Sequence, residues 1–211
     1  MLDKPVIQAL IEQAHKRSYP PRHTIIHAGG EPQSLYLIIE GSVSIFLEDD
    51  TGREMVLAYL NPGEFFGEMC LFPEQRLRTA VVRTREPTLV AETGYQMFRQ
   101  FYLKHPEIMF EIAGQLASHL RDTSRRLGDL AFLDVSGRVA HVLLEMANKP
   151  GAIPNPRGTV VRISRQELAS NVGCSREMAG RVLKKLSEDG VVITQGRNIL
   201  ILHRQRRSGN S

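Results

Sequence analysis

The chain has 211 residues, 42% of them hydrophobic and 24% charged. That composition supports one large buried core or two small ones and excludes wholesale disorder. No apolar run approaches the roughly 18 residues that span a bilayer. The opening MLDKPVIQALIEQAHKR has neither the apolar core nor the small-residue cleavage site of a secretory signal, so a cytoplasmic protein is expected. Charge is unevenly placed. Residues 134–211 hold 13 Lys and Arg against 6 Asp and Glu, a net of +7, and residues 1–133 hold 14 against 17, a net of −3. A basic rear behind a mildly acidic front suits a polyanion partner, or a solvated surface with a basic tail. Cys70 and Cys174 are too few for a four-thiolate cluster or a cysteine zinc site and read as small buried hydrophobes.

In chain order, residues 1–18 read as a short helix. From Tyr19 to Gly94 come short alternating or apolar strands, such as HTIIHAGG, SLYLIIEGSVSIFLEDDTGREMVLAYL and TAVVRTREPTLVAET. Gly29-Gly30, Gly41, Asp50-Thr51-Gly52, Asn61-Pro62-Gly63 and Pro87 punctuate them, which predicts a β-sandwich or barrel. Pro106 opens a helical pattern that runs to about Phe132, with Ile108, Ile112, Leu116, Leu120 and Leu127 in one broad stripe. At roughly 27 residues it is about 40 Å long, which favours a paired, coiled-coil-like dimer seam over a helix lying across its own small domain.

The rear is different in texture. A helix over about residues 135–148 leads into the Pro/Gly loop KPGAIPNPRG and a strand, TVVRI. Ser164 and Glu167 then make an S-x-x-E capping box. Leu168, Ala169 and Val172 give that helix an apolar side, Gly173 permits a sharp turn and Ser175 caps the next helix. Ala179, Val182, Leu183 and Leu186 fall at i, i+3, i+4, i+7, a buried stripe. The opposite face carries Arg176, Glu177, Gly180, Arg181 and Lys184. Arg can bond guanine O6 and N7 together, and Glu can accept from cytosine N4. Ser164, Arg165 and Lys184 are candidates for phosphate contacts. VVITQGRNILIL follows as strand–turn–strand, so the whole reads as a winged helix-turn-helix; the plain alternative is a helical hairpin with a solvated charged face. The tail RQRRSGNS reads as disordered.

With YLNPGEFFGEMCLF, RTAVVRT, LAFLDVSGRVA and GCSREMAGRVLKKL in view, the chain resembles the CRP/FNR family of bacterial regulators over nearly its whole length. The resemblance implies an α+β architecture. Residues 1–105 correspond to a cyclic-nucleotide-binding β jelly roll, 106–133 to a dimerisation helix and 134–211 to a winged helix-turn-helix that binds DNA. It implies that Gly67 and Glu68 take the ribose end of a cyclic nucleotide, Arg78 and Thr79 the cyclic phosphate, and Thr123 and Ser124 the base, Ser124 reaching into the partner subunit's pocket. The family's Arg on the dimer helix is His119 here, which replaces a permanent charge with one that titrates near neutrality. The resemblance further implies that Arg176, Glu177 and Arg181 read TGTGA-type half-sites in an inverted repeat, and that residues 152–159 contact RNA polymerase. Cyclic AMP is the expected ligand. The alternatives are cyclic di-GMP acting to release DNA, or no ligand at all.

Other classes are weaker. The sequence has no HExxH, Walker A, GxSxG or His/Cys metal spacing, so no enzyme and no metal site is expected. A cyclic-nucleotide module acting through protein partners would not need the Arg176/Glu177/Arg181 face.

Overall fold

Pro5 opens α1 (Pro5–Gln13) at the position where a missing N–H and a fixed φ cost nothing. Ile7, Leu10 and Ile11 form its buried side. The helix stops earlier than the sequence suggests. His15–Tyr19 is a strand, β1, paired antiparallel in register from His15↔Glu92 to Tyr19↔Thr88. It is almost wholly exposed and is held extended by the main-chain ladder to a strand some seventy residues away, with Arg17 Nε paired to Glu92 Oε2 at 2.6 Å. The computed structural model describes residues 1–72, 77–148 and 151–203, and these divide into two compact units, Met1–Arg125 and the stretch from Arg126 onward.

The first unit is built on β2 (Thr24–Ile26), β3 (Ser34–Glu40), β4 (Val43–Glu48), β5 (Glu54–Leu60), β6 (Phe65–Phe66), β7 (Val81–Thr84) and β8 (Thr88–Gly94). They form two four-stranded antiparallel sheets, ordered β1-β8-β3-β6 and β2-β7-β4-β5, a sandwich as the strand pattern predicts and the jelly roll that the family resemblance implies. The near-continuous apolar run of β3 follows from burial on both faces. Ile38 packs with Val43, Leu60, Phe66, Val82 and Val90 between the sheets. Leu35 and Leu37 point the other way, onto Phe98 and Phe101 of α2 (Tyr95–Lys104) and Ile108 and Ile112 of α3 (Ile108–Phe132). The DDTG turn joins β4 to β5 as expected: Asp49 Oδ1 accepts the main-chain N–H groups of Thr51 (2.9 Å) and Arg53 (3.0 Å), and Gly52 takes φ +76°.

α3 corrects the single-stripe reading of the long helix. Ile108, Ile112 and Gln115 are buried, and Leu116 packs beside them on the jelly roll's own core. Leu120 (68% exposed) and Leu127 (66% exposed) lie on a different face. That second face runs Phe110, Ala113, Ala117, Leu120, Ser124, Leu127 and Ala131, all exposed or half-buried. The spacing alternates three and four residues, the 3.5-residue repeat of a coiled-coil seam. The helix therefore lies on its own domain with one face and leaves uncovered a second face that has the spacing of a dimer seam.

In the second unit, α4 (Val135–Ala147) is capped by Asp134, which accepts from Gly137 N at 2.7 Å. Within the segment read as a loop, Ile153–Asn155 forms a short strand, β9, paired with β10 (Gly158–Arg162). Lys149 and Pro150 of that loop, and the tail 204–211, lie outside the described residues, as does the side chain of Cys70. Then come α5 (Arg165–Val172), α6 (Arg176–Glu188), β11 (Val192–Gln195) and β12 (Asn198–Leu202), the sheet order being β11-β12-β10-β9. The core is Val139, Leu143, Val161, Ile163, Leu168, Val172, Val182, Leu183, Val192 and Ile199. Cys174 is partly buried against it, and that burial pushes its thiol pKa up.

Candidate functional site

Two constellations emerge, one in each unit. The first is organised by a tight turn after β6. Gly67 adopts φ +80°, and a Cβ there would sit 2.6 Å from Arg78 Nη1, so only glycine fits both the backbone and the neighbour. It begins the 3₁₀ turn Glu68–Leu71. Arg78, only 8% exposed, donates from Nη1 to Gly67 O (3.0 Å) and from Nη2 to Ser34 O (2.6 Å). Tyr95 Oη donates to the same Gly67 carbonyl at 2.7 Å, and its ring lies 5.8 Å from the guanidinium carbon. Among the described residues no ion pair joins Arg78 to a carboxylate. The guanidinium is thus a buried cation held by neutral carbonyls, whereas buried charges are ordinarily paired.

Glu68 is also 8% exposed. Burial pushes its carboxyl above the usual carboxylate range, opposed by a hydrogen bond from its own main chain and by the fields of His119 and Arg78. His119 approaches from α3, with Nε2 3.4 Å from Glu64 Oε1. Gly67, Glu68, Arg78 and His119 therefore share one neighbourhood. Thr79 is exposed immediately after Arg78, and Thr123 and Ser124 are exposed on α3, Ser124 within the 3.5-residue seam.

The second constellation is the pair α5–α6. Ser164 Oγ accepts from Glu167 N (3.1 Å), and Glu167 Oε2 accepts from Ser164 N (2.8 Å), the capping box that the sequence predicts. Gly173 closes α5 at φ +69°. Ser175 Oγ accepts from Met178 N at 3.1 Å and starts α6. Ala179, Val182 and Leu183 are buried, with Leu186 packed beside them. The opposite side is a groove lined by Arg165, Arg176, Glu177, Gly180, Arg181 and Lys184. The position of a Cβ on Gly180 meets only Arg165 Cδ, at 3.9 Å; the protein's own packing does not require glycine there. Glu177 and Arg181 lie 3.6 Å apart, one helical turn along the same face. From the wing turn, Arg197 Nη2 reaches Glu167 Oε2 at 3.0 Å, so the hairpin is tied to the N-terminus of α5.

Sequence reasoning did not find Ser34, Glu64, Tyr95, Gln115 or Arg197 as parts of these sites. Ser34 acts through its carbonyl, which carries no residue-type signal. Gln115 is a polar residue in the buried phase of α3, and that was the available clue. The Ser164 hydroxyl, which accepts from Glu167 N, is the half of the capping box that a substitution can remove, since Glu167 Oε2 accepts from the Ser164 main chain. Ser164→Ala is expected to lower the stability of this unit by about 1 kcal/mol, read as a lower denaturant midpoint with unchanged slope.

The cyclic nucleotide-binding domain family matches residues 16–105, and the Crp-like helix-turn-helix domain family matches residues 137–206. The cAMP-activated global transcriptional regulator Vfr of Pseudomonas aeruginosa is 46% identical over 198 residues, 92% of each chain. The chain belongs to the CRP/FNR family. A second member, the cAMP-activated global transcriptional regulator CRP of Pasteurella multocida, is 42% identical over 93% of this chain and 94% of that one. Among solved structures, the c-di-GMP responsive global regulator CLP of Xanthomonas campestris has a TM-score of 0.89 at 42% identity, covering 94% of this chain and 98% of that one. As a CRP/FNR member the chain is a transcription regulator that pairs a cyclic-nucleotide-binding jelly roll with a DNA-binding helix-turn-helix. No helix among the described residues is long and apolar enough to cross a membrane.

Proposed function

We propose that the chain is a cytoplasmic, homodimeric, cyclic-AMP-activated regulator that reads TGTGA-type inverted repeats. The observation that carries the ligand reading is Arg78: a buried guanidinium, parked on two main-chain carbonyls beside the Gly67 turn. A monoanionic cyclic phosphate fits it, since a charged acceptor makes stronger bonds with guanidinium than a neutral carbonyl does. Glu68 accepts from a ribose hydroxyl, and its charge orients the phosphate away from itself toward Arg78. Thr79 supplies a hydroxyl beside Arg78, and Thr123 and Ser124 lie exposed on α3 for the base. His119 provides the ionisable group on the same helix. When bound, the nucleotide brings a negative charge into a site whose groups already distinguish its two ends.

DNA reading rests on α6. Arg176, Glu177 and Arg181 are exposed on one face and free to meet base edges in the major groove. Arg165 and Lys184 at the rim contact phosphates, as does the Ser164 hydroxyl, whose oxygen caps α5 while its proton remains available. Residues 152–159, which form β9 and the turn into β10, are offered as the surface for RNA polymerase.

Dimerisation accounts for the uncovered seam of α3. Phe110 is 81% exposed and Leu120 68%, and with Ala113, Ala117, Leu127 and Ala131 they make one continuous uncovered apolar face of the kind that marks an interface. Leu120→Glu is expected to raise the dimer dissociation constant at least about 100-fold. It removes about 1.5–3 kcal/mol of burial from each chain and sets two like charges together. Light scattering at micromolar protein reads the change; a variant that remains dimeric overturns this seam.

Anisotropy of a labelled duplex with two inverted TGTGA half-sites tests the whole reading, titrated with protein alone, with cyclic AMP and with cyclic di-GMP. Tightening by cyclic AMP is the expected result, with affinity falling as salt rises. Tight binding without ligand that cyclic di-GMP weakens overturns it in favour of the opposite switch.

A further inference from the structure

Glu64 lies in the connection between β5 and β6, three residues before Gly67, and is held on several sides. Its Oε2 accepts from Asn61 N at 2.8 Å and faces Asn61 Nδ2 at 3.5 Å. The next residue, Phe65, is clamped by Gln115 of α3: Phe65 N donates to Gln115 Oε1 and Gln115 Nε2 donates to Phe65 O, both at 2.7 Å. Gln115 is 7% exposed. One helical turn further along α3, His119 Nε2 meets the other oxygen of Glu64 at 3.4 Å. Residues i and i+4 of one helix thus grip the strand that leads into the Gly67 turn. The imidazole faces a carboxylate that cannot swing away.

We infer that Glu64, acting through His119, is a further charge-setting residue of the nucleotide pocket, so that the pocket takes up a proton together with its anionic ligand. The inference rests on the cyclic-nucleotide reading above. Three carboxylates bear on the imidazole. Glu64 faces it from the β5–β6 connection, Glu68 from the 3₁₀ turn and Asp122 from α3 itself, while Arg78 acts on Glu68 from the far side. The hydrogen bond to Glu64 raises the His119 pKa above the ordinary imidazole value. Burial opposes this rise, and the fields of Glu64, Glu68 and Asp122 add to it. Burial would raise the Glu64 carboxyl, but its bonds from His119 and Asn61 outweigh that and hold it lower.

The sign follows. With both pocket carboxylates ionised, Arg78 and protonated His119 balance Glu64 and Glu68. When His119 loses its proton the four groups carry one net negative charge and repel a cyclic phosphate. Anion binding therefore raises the imidazole pKa further, and affinity falls as pH climbs above the ordinary imidazole range. A permanent Arg at this position would remove the dependence, so Glu64 matters because its partner is a histidine.

Calorimetric titration of the full dimeric chain with cyclic AMP, from about pH 6 to pH 8.5, tests this. The expected result is an affinity loss of about tenfold across the range, as one unit charge is lost near the ligand. The binding heat should also vary with buffer ionisation enthalpy, reporting proton uptake without any substitution. His119→Arg is expected to flatten the profile, and Glu64→Gln to move its fall to lower pH by removing the imidazole's counter-ion. Cyclic AMP binding that varies less than twofold with pH overturns the inference alone, as does a profile retained in His119→Gln. Absence of cyclic AMP binding at every pH overturns the parent reading and this inference with it.

Discussion

Arg78→Gln is expected to lower cyclic AMP affinity by about two orders of magnitude and to leave DNA binding without ligand unchanged. The guanidinium is 8% exposed and holds both Gly67 O and Ser34 O. Glutamine removes the charge that offsets the incoming phosphate and takes one donor from each of two carbonyls, of which Gly67 O keeps Tyr95 Oη. Hydrogen bonds to charged groups contribute about 1.5–3 kcal/mol each, and orphaned buried acceptors cost about 1–3 kcal/mol. A net loss of about 3 kcal/mol corresponds to roughly 100-fold. Arg78→Lys separates charge from geometry. One ammonium keeps the charge but lacks the planar fork that spans two acceptors, so it should recover only part of the loss. Binding of cyclic AMP by Arg78→Gln within a few-fold of the parent chain would remove Arg78 from the anion site. It would leave the guanidinium as a brace between β3 and the Gly67 turn.

The second large effect concerns α6. Arg181→Ala is expected to weaken binding to a TGTGA inverted repeat at least about 30-fold and to relax base preference at one position in each half-site. A bidentate arginine–guanine contact discriminates by about 1–3 kcal/mol, and a two-fold dimer makes it twice. Arg181 is well placed for this. It is exposed, backed by the buried Val182 and Leu183, and held 3.6 Å from Glu177 one turn earlier. Arg165→Ala gives the contrast. Arg165 is the proposed phosphate contact at the rim, so its loss should weaken binding to every sequence to the same degree, with a salt slope lower by about one per half-site. Competition assays over duplexes varied at each base distinguish the two. Equal, sequence-independent weakening by both substitutions would assign Arg181 to the backbone and leave base reading to Arg176 and Glu177.

The parts of this molecule that the sequence determined are those written in local, repeating chemistry. Ser164 and Glu167 stand three residues apart, so their capping box follows from helix geometry alone, and the structure has both bonds. The Ala179–Leu186 spacing set which side of α6 is buried, and with it which side carries Arg176, Glu177 and Arg181. Asp49 and Gly52 specified the β4–β5 turn, and Gln195-Gly196-Arg197-Asn198 the tip of the wing. Each depends on residues within about two helical turns or one hairpin of each other.

What only the tertiary structure decided depends on partners far along the chain. His15–Ser18 reads as the end of a helix in the sequence, yet is strand because β8 offers a free edge. The apolar residues of α3 suggest one stripe, and the jelly roll divides them: Ile108, Ile112 and Leu116 inward, Phe110, Leu120 and Leu127 outward. Gly67 and Arg78 are recognisable in sequence, but the requirement that Gly67 have no Cβ comes from a guanidinium eleven residues later. Glu64 meets His119 across 55 residues, and Phe65 meets Gln115 across 50. Hydrophobic period and capping rules constrain neighbours on one element; they carry no information about which polar groups two elements bring face to face. That is settled when both faces of β3 are buried and each polar side chain left inside must find the partner that packing places beside it.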